Sequence, residues 1–421
     1  MDSRIVDHLE RDYQKPIRDP LWKHIYVSEP IQKLLDTPAC RQLSRIKQLG
    51  PAYLVYPGAT HTRLSHSLGV FDIARRMIRR LLVVDPHLDV SMEGVKAFLV
   101  AALLHDLGHF PYTHSFKELS LKEHEVLTAE LVQSEPVVSV IRDSVRADPA
   151  MVAAIVDTTM PAAEGSEVAF FRAILSGTLD PDKLDYLNRD AYFCGVPYGV
   201  QDIDFILSRL QTSGRNGIAL EASGISAVES ILFAKYLMYR AVYWHRTVRV
   251  ATAMIKKAVY QALREGAIQP NDLYGLDDDL FFVQFAQRDY PVFELIRRVY
   301  NRRLHQPVFE VAFDPGNPIH AAVTDLSVRA ELEARIATRL SGTLATSVPA
   351  EAVIIDVPEN ISFEVHLPVV HKGQALDYPM SDTVFTTGVI GDFTRTLRRL
   401  RLVVAPEIAG AVHDPEALFA C

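Results

Sequence analysis

Over roughly the first 300 residues, apolar positions recur at the three-to-four spacing of helices rather than the alternation of strands. Helical spacing runs from Ile31 to Ile46 and from Ser65 to Val83, and Met92 to Leu104 is an apolar run ending at the doublet His105-Asp106. Pro111 predicts that this helix breaks soon after His109, because proline lacks an amide proton and its ring clashes with the preceding turn. Further helices are predicted over Lys122–Gln133, Val137–Ser144, Val168–Ser176 and Lys183–Tyr192. Ser213-Gly-Arg-Asn-Gly217 reads as a turn between two short strands, since Asn-Gly favours primed hairpin turns. From Ile225 to Arg264 there is neither Gly nor Pro, which predicts one long helix or two abutting ones.

Near residue 304 the pattern changes. Val308–Phe313, Ala352–Val357, Ile361–Val370 and Thr383–Ile390 are rich in β-branched and aromatic residues. Pro, Gly and Asn turns separate them, with one helical piece, Ala330–Leu340. The expectation is a mainly α protein: a helical core over residues 1–303 and a smaller α+β C-terminal region over 304–421.

Composition narrows the class. With 48% hydrophobic and 23% charged residues, the 421-residue chain falls in the ordinary soluble range. No apolar run is long enough to span a bilayer, and the N-terminus, MDSRIVDHLERDYQKP, is too polar for a signal peptide. Cys40, Cys194 and Cys421 have no paired spacing, which argues against a disulfide framework or a zinc knuckle. A reducing cytoplasm is therefore expected. A net charge of −8 leaves no broad basic surface for a duplex, so nucleic acid is not the favoured partner. Arg75, Arg76, Arg79 and Arg80 fall largely on one helical face; they read as a solvated face, or else as an anion or subunit contact.

The candidate chemistry lies in the histidines, seven of fifteen falling between His61 and His124. Imidazoles and carboxylates in the series His66, His105-Asp106 and Asp182 suit a first-row divalent metal with open coordination positions. Such a centre can turn water into a nucleophile near neutral pH. The doublet ends an apolar helix, where two polar groups would be costly to bury without a partner such as a metal. His109, one helical turn beyond His105, can share its pocket, and with His114 and His124 it forms a set of candidate proton donors or phosphate ligands.

Four segments in one order carry a resemblance: Ile46-Lys-Gln-Leu-Gly50, Val55-Tyr-Pro-Gly-Ala-Thr-His-Thr-Arg-Leu-Ser-His-Ser-Leu-Gly-Val70, His105-Asp-Leu-Gly-His-Phe-Pro-Tyr-Thr-His114 and Asp182-Lys-Leu-Asp-Tyr-Leu-Asn-Arg-Asp190. Together they closely resemble the HD-domain deoxynucleoside triphosphate triphosphohydrolases, in the bacterial form that lacks a sterile-alpha-motif domain. The resemblance implies an HD-domain helical bundle, and one or two divalent metals on His66, His105, Asp106 and Asp182. Iron, manganese, zinc, cobalt and magnesium are all compatible with those donors. It further implies that Arg63 and Lys183 hold substrate phosphates, with Tyr186 beside them. Gln48 and Asp190 would read the sugar 3′-hydroxyl, Leu49 would pack on the sugar, and Tyr243 would leave no room for a 2′-hydroxyl. Lys235 and Tyr239 fall in the same pocket-lining segment. His114 matches the acid for the leaving 5′-oxygen, with His109 and His124 facing phosphate. Association into a dimer or tetramer through Ile31–Leu49 is also implied.

The sequence departs from the family at points that bear on function. Where an acidic residue usually follows the acid histidine by three positions, Lys117 stands here; Glu118, at i+4, is the expected substitute orienter of His114. Arg41, Ser44 and Arg18 replace the family's guanine-reading positions, which argues against activation by dGTP. The favoured expectation is hydrolysis of a deoxynucleoside triphosphate to deoxynucleoside and triphosphate. Lys117, Lys235 and Tyr239 keep open another nucleotide substrate, a ribonucleotide or an alarmone. A nucleotide- or nucleic-acid-binding regulator with little turnover is the third reading.

Overall fold

The computed structural model describes residues 3–214, 217–361, 363 and 366–419. The chain opens with helix α1 (Ser3–Arg11), the hairpin β1 (Lys15–Asp19) and β2 (Lys23–Val27), and helices α2 (Glu29–Leu35) and α3 (Pro38–Gln42). The helical centre follows: α4 (Arg63–Val84), α5 (Met92–Leu104), α6 (His124–Val132), α7 (Val137–Ser139, continued by a π-turn), α8 (Pro149–Val156), α9 (Glu167–Leu175) and α10 (Pro181–Cys194). Next come α11 (Ile203–Ser208), β3 (Leu210–Thr212), β4 (Ile218–Glu221), α12 (Ile225–Met238), α13 (Arg246–Arg264), α14 (Asp278–Ala286) and α15 (Glu294–Tyr300). The remainder is β5 (Gln306–Ala312), α16 (Pro318–Ala322), α17 (Leu326–Leu344), β6 (Val353–Asp356), β7 (Pro368–His371), β8 (Gln374–Asp377), α18 (Thr387–Leu397) and β9 (Arg399–Val404).

Local chemistry accounts for the boundaries that matter. Thr62 and Ser65 form a reciprocal cap that starts α4 at Arg63. Ser91 caps α5, which is buried all round from Ala97 to Leu104 and so forms the centre of the core beside α4. Asp180 caps α10, Pro181 opens it, and Gly195, left-handed at φ 67°, closes it. The stretch 225–264 is two abutting helices: a π-turn at Tyr239–Tyr243 and the extended residue His245 separate α12 from α13.

The chain forms a mainly helical molecule with small sheets. β5, β9 and β6 make an antiparallel sheet in that order, covered by α17. β3, β4, β7 and β8 make another, in which β4 pairs in parallel with β7, so backbone hydrogen bonds join segments on either side of residue 304. Arg215 and Asn216, the predicted hairpin turn, lie outside the described residues; β3 and β4 on either side are antiparallel partners. Among the described residues no helix is long and apolar enough to cross a membrane.

Three expectations need correcting. Thr383–Ile390 is not a strand: Thr383 and the amide of Val384 hydrogen-bond to the Glu229 carboxylate, and α18 begins at Thr387. Within Ile361–Val370 the strand begins only at Pro368, and residues 362, 364 and 365 lie outside the described residues. The helix before the His-Asp doublet ends at Leu104, so His109 sits beyond a tight turn and not one helical turn up from His105. Strands β1, β2, β8 and β9 had no counterpart in the apolar pattern, because charged or polar residues interrupt each of them.

Candidate functional site

The metal-donor series converges at the junction of three helices. α4 packs against both α5 and α10, and supplies His66 from its first turn; His105 and Asp106 follow the end of α5, and Asp182 lies in the first turn of α10. His66 Nε2 lies 3.0 Å from Asp182 Oδ1, and His105 Nε2 lies 3.3 Å from Asp106 Oδ1 and 3.8 Å from Asp182 Oδ1. Both imidazoles are anchored through the opposite nitrogen. His66 Nδ1 donates to Asp185 Oδ2 at 2.9 Å, and His105 Nδ1 to the Ala102 carbonyl at 3.0 Å. The Nε2 lone pairs are thereby turned toward the carboxylates.

The donor set fits a divalent cation. His105 Nε2 is buried with no hydrogen-bond partner, a costly state for an imidazole nitrogen and one that a cation would relieve. Two imidazole nitrogens and two carboxylates suit iron, manganese, zinc or cobalt, and magnesium less readily. In the metal-free protein burial disfavours charge on His66, but Asp182 and Asp185 outweigh it and push its pKa up to about 10. Burial raises the carboxyl pKa of Asp106, but His105, His109 and Arg63 overcome this and hold it well below the usual range. Arg63 Nη1 donates to Asp106 Oδ2 at 2.6 Å.

Two glycines in the motifs permit this closeness. A Cβ on Gly69 would stand 1.8 Å from Asp185 Oδ1 and 2.6 Å from Arg189 Nη2, so glycine is what lets the carboxylate behind His66 sit against α4. A Cβ on Gly108 would stand 2.3 Å from the His124 carbonyl, so glycine admits the start of α6. There Thr128 Oγ1 bridges Gly108 N at 2.8 Å and the His105 carbonyl at 3.1 Å. His124 is thus brought to His109, with ring centroids 3.9 Å apart, while His109 Nε2 lies 3.2 Å from His114 Nε2. Burial and the nearby Arg63 charge depress the pKa of His109, and burial takes His124 down to about 3.

A cavity of about 620 Å³ opens over these groups. Of the sequence-predicted residues, Gln48, Leu49, Arg63, His105, Asp106, His114, His124, Asp182, Lys183, Tyr186, Asp190, Tyr239 and Tyr243 line it. His66 and His109 are buried behind the wall. Backbone bonds from Gln48 N to the His61 carbonyl (3.0 Å) and from Arg63 N to the Ile46 carbonyl (2.9 Å) lay the first two motifs side by side. Gln48 Oε1 is buried without a partner. Asp190 accepts from Tyr243 OH at 2.7 Å and pairs with His61 Nε2 at 2.8 Å. Lys183 Nζ is held by Asp180 and by the Gly177 carbonyl.

Two predicted residues stand elsewhere. Glu118 does not orient His114: its carboxylate is taken by Lys256 Nζ at 2.6 Å and Arg329 Nη1 at 3.1 Å, because α13 and α17 bring buried cations to it. The carboxylates at the histidine cluster are Asp106, 3.3 Å from His109 Nδ1, and Glu125, 3.0 Å from His124 Nδ1. Lys235 is not among the cavity's lining residues; its ammonium lies 4.9 Å above the Phe363 ring, and burial lowers its pKa to about 8. The arginine cluster of α4 is engaged internally: Arg75 with Asp72 and the Leu9 carbonyl, Arg76 with Asp204, Arg79 with Glu10, Arg80 with the Ser208 carbonyl.

Asp185, Asp180 and His61 join the site without having stood out in the sequence. The i+3 spacing of Asp185 from Asp182 inside one quoted motif, and the Asp180-Pro181 helix start, were the available signals. His61 carried none beyond its place in the second motif.

A model of the HD domain matches residues 63–155, and one of the HD associated region matches residues 202–384. The chain is 33% identical over 333 residues to the uncharacterized protein YwfO of Bacillus subtilis, across 73% of this chain and 74% of that one. To the deoxynucleoside triphosphate triphosphohydrolase SAMHD1 of Bos taurus it is 26% identical over 283 residues, across 60% of this chain and 48% of that one. The match therefore spans about half of the bovine protein. The crystal structure of a phosphohydrolase from Bacteroides thetaiotaomicron shares the fold, with a TM-score of 0.72 and 21% identity across 93% of this chain and 99% of that one. With its His-Asp donor set, its cavity and these likenesses, the chain belongs to the HD-domain phosphohydrolases that carry an HD-associated region.

Proposed function

We propose that the protein cleaves deoxynucleoside triphosphates into deoxynucleoside and inorganic triphosphate. One observation carries the reading: a single cavity is lined both by metal donors with Arg63 and Lys183, and by Gln48, Leu49, Asp190 and Tyr243. The first group suits a polyphosphate and the second a sugar. The bovine relative's name points to the same reaction.

A divalent metal on His66, His105, Asp106 and Asp182 would supply Lewis acidity and lower the pKa of a bound water. The side chains do the rest. Arg63 and Lys183 exchange their carboxylate partners for phosphate oxygens, giving fixed positive charge where the transition state spreads negative charge. Gln48 Oε1 accepts from the sugar 3′-hydroxyl, satisfying an acceptor that is otherwise buried alone. Tyr243, fixed by Asp190, sets the ring that crowds a 2′-hydroxyl. His114, on the cavity wall beside His109, passes a proton to the leaving 5′-oxygen.

The test is incubation of the purified protein with each deoxynucleoside triphosphate and Mn²⁺ or Mg²⁺, followed by anion-exchange analysis. Triphosphate as product supports the reading; phosphate or pyrophosphate with no triphosphate rejects it. A second reading, a different nucleotide substrate, is favoured by Lys117, which lines the cavity beside His114 and has no hydrogen-bond or ion-pair partner among the described residues. Ribonucleotides or alarmones cleaved in preference to deoxynucleotides would favour it.

A further inference from the structure

We propose that Trp22, at the tip of the β1–β2 hairpin, is a positioning residue for His66, so that the N-terminal hairpin sets how tightly the chain holds its metal. The inference rests on His66 being a metal ligand, and not on the identity of the substrate.

Asp185 is the link. Its Oδ2 accepts from His66 Nδ1 at 2.9 Å and Arg189 Nε at 2.8 Å; its Oδ1 accepts from Arg189 Nη2 at 2.9 Å and Trp22 Nε1 at 2.5 Å. A carboxylate offers about four lone-pair sites, and donors engage all of them here. Its plane is therefore fixed, and with it the direction in which His66 presents Nε2. Removing one donor frees an oxygen and lets the carboxylate turn. Gly69 leaves it no slack on the far side, since a Cβ there would overlap Oδ1.

The hairpin is built to make this contact. Asp19 Oδ1 accepts from the amides of Leu21 at 2.9 Å and Trp22 at 2.8 Å, closing the turn that aims the indole inward. Lys23, left-handed at φ 67°, completes that turn. The other oxygen of Asp19 accepts from Arg189 Nη1 at 2.7 Å, the same guanidinium that grips Asp185. The hairpin thus reaches the carboxylate twice, directly through Trp22 and indirectly through Asp19 and Arg189. Arg189 and Asp185 are fully buried, so their hydrogen bonds are strong, whereas most other residues of β1 and β2 face solvent.

Partners that orient a metal-bound histidine typically change metal affinity by about 10- to 100-fold. Trp22 acts one bond further out, so a loss of roughly 3- to 10-fold is expected. Trp22→Phe keeps an aromatic ring, though a smaller one, and removes the indole donor. Mn²⁺ is titrated calorimetrically into the metal-free, full-length wild type, Trp22→Phe, Asp19→Asn and Asp185→Asn, and Tm is measured with and without Mn²⁺. The expected result is weaker Mn²⁺ binding in the order Asp185→Asn, then Asp19→Asn and Trp22→Phe, with a reduced Mn²⁺-induced rise in Tm. A purely structural role would lower the metal-free Tm and leave the affinity of the folded fraction intact. Wild-type affinity in Trp22→Phe and Asp19→Asn, with Asp185→Asn weakened, overturns the proposal. Wild-type affinity in Asp185→Asn removes its basis. Should Trp22→Phe fail to fold, Asp19→Asn decides alone.

Discussion

Gln48 and Tyr243 show how much a single atom can determine in this cavity. The Gln48 side-chain oxygen is buried with no partner among the described residues and lines the cavity, an acceptor open to a donor from a bound molecule. Gln48→Leu removes the acceptor at similar volume and is expected to raise KM for a deoxynucleotide about tenfold, the equivalent of one lost hydrogen bond. A matched 2′,3′-dideoxynucleotide, which lacks the donor, should show no such penalty in steady-state assays. Tyr243→Ala is expected to admit ribonucleoside triphosphates, seen as a rise in their kcat/KM relative to the deoxy forms. Gly69 makes the opposite kind of demand. Gly69→Ala puts a methyl group where Asp185 and Arg189 already stand, both buried and both tied at several points. Its product should bind Mn²⁺ weakly and melt several degrees lower.

Among the elements, the junction of α13 with the sheet beyond it is held by charge and by His305. His305 donates its amide to Met254 Sδ of α13 at 3.4 Å, and its Nε2 lies 3.1 Å from the Glu351 carbonyl. Its Nδ1 is buried without a partner, and burial lowers its pKa to about 4. The folded protein therefore keeps His305 neutral while the unfolded chain takes up a proton below an ordinary value near ~6.5. Its stabilisation is complete above that value and is lost as pH falls toward about 4, a span on the order of 3 kcal/mol. His305→Gln should flatten the dependence of Tm on pH between these limits. Glu118 gives a second test here. Its carboxylate neutralises Lys256 and Arg329, each less than a tenth exposed, so Glu118→Gln should cost about 3–5 kcal/mol in denaturant unfolding. The pH profile of kcat should not shift, because Glu118 does not touch His114.

The elements also show what the sequence could and could not give away. Helix α5 was legible residue for residue, because its apolar run is a local signal. The candidate donors His66, His105, Asp106 and Asp182, though on three separate elements, could be grouped because their residue types and motif spacing fit one chemistry, and the fold brings them together. The π-turn at Tyr239–Tyr243 was not, since no Gly or Pro marks it and the aromatic residues around it pack only in three dimensions. Strand β9 was missed for a related reason. Arg401 sits inside its sheet only because Asp356 and Glu310 meet it there, at 3.3 Å and 2.8 Å, from strands distant in sequence. Glu118 was misassigned because helical spacing was applied where the chain leaves its short 3₁₀ turn at Phe116, and because its true partners lie far along the chain.

For the whole molecule, the charged junction runs from the sheet to the cavity. Arg249 of α13 binds Asp356 of β6 through two bonds, at 2.5 Å and 3.2 Å, and reaches Glu359 at 3.3 Å; Arg249 and Glu359 both line the cavity. The parallel pairing of β4 with β7 adds backbone bonds across the same divide. A protease or a gene fusion that severed the chain between those strands would not liberate two working modules. It would leave two raw edges and a handful of stranded charges, which ties the inheritance of the catalytic half to that of the half that follows it.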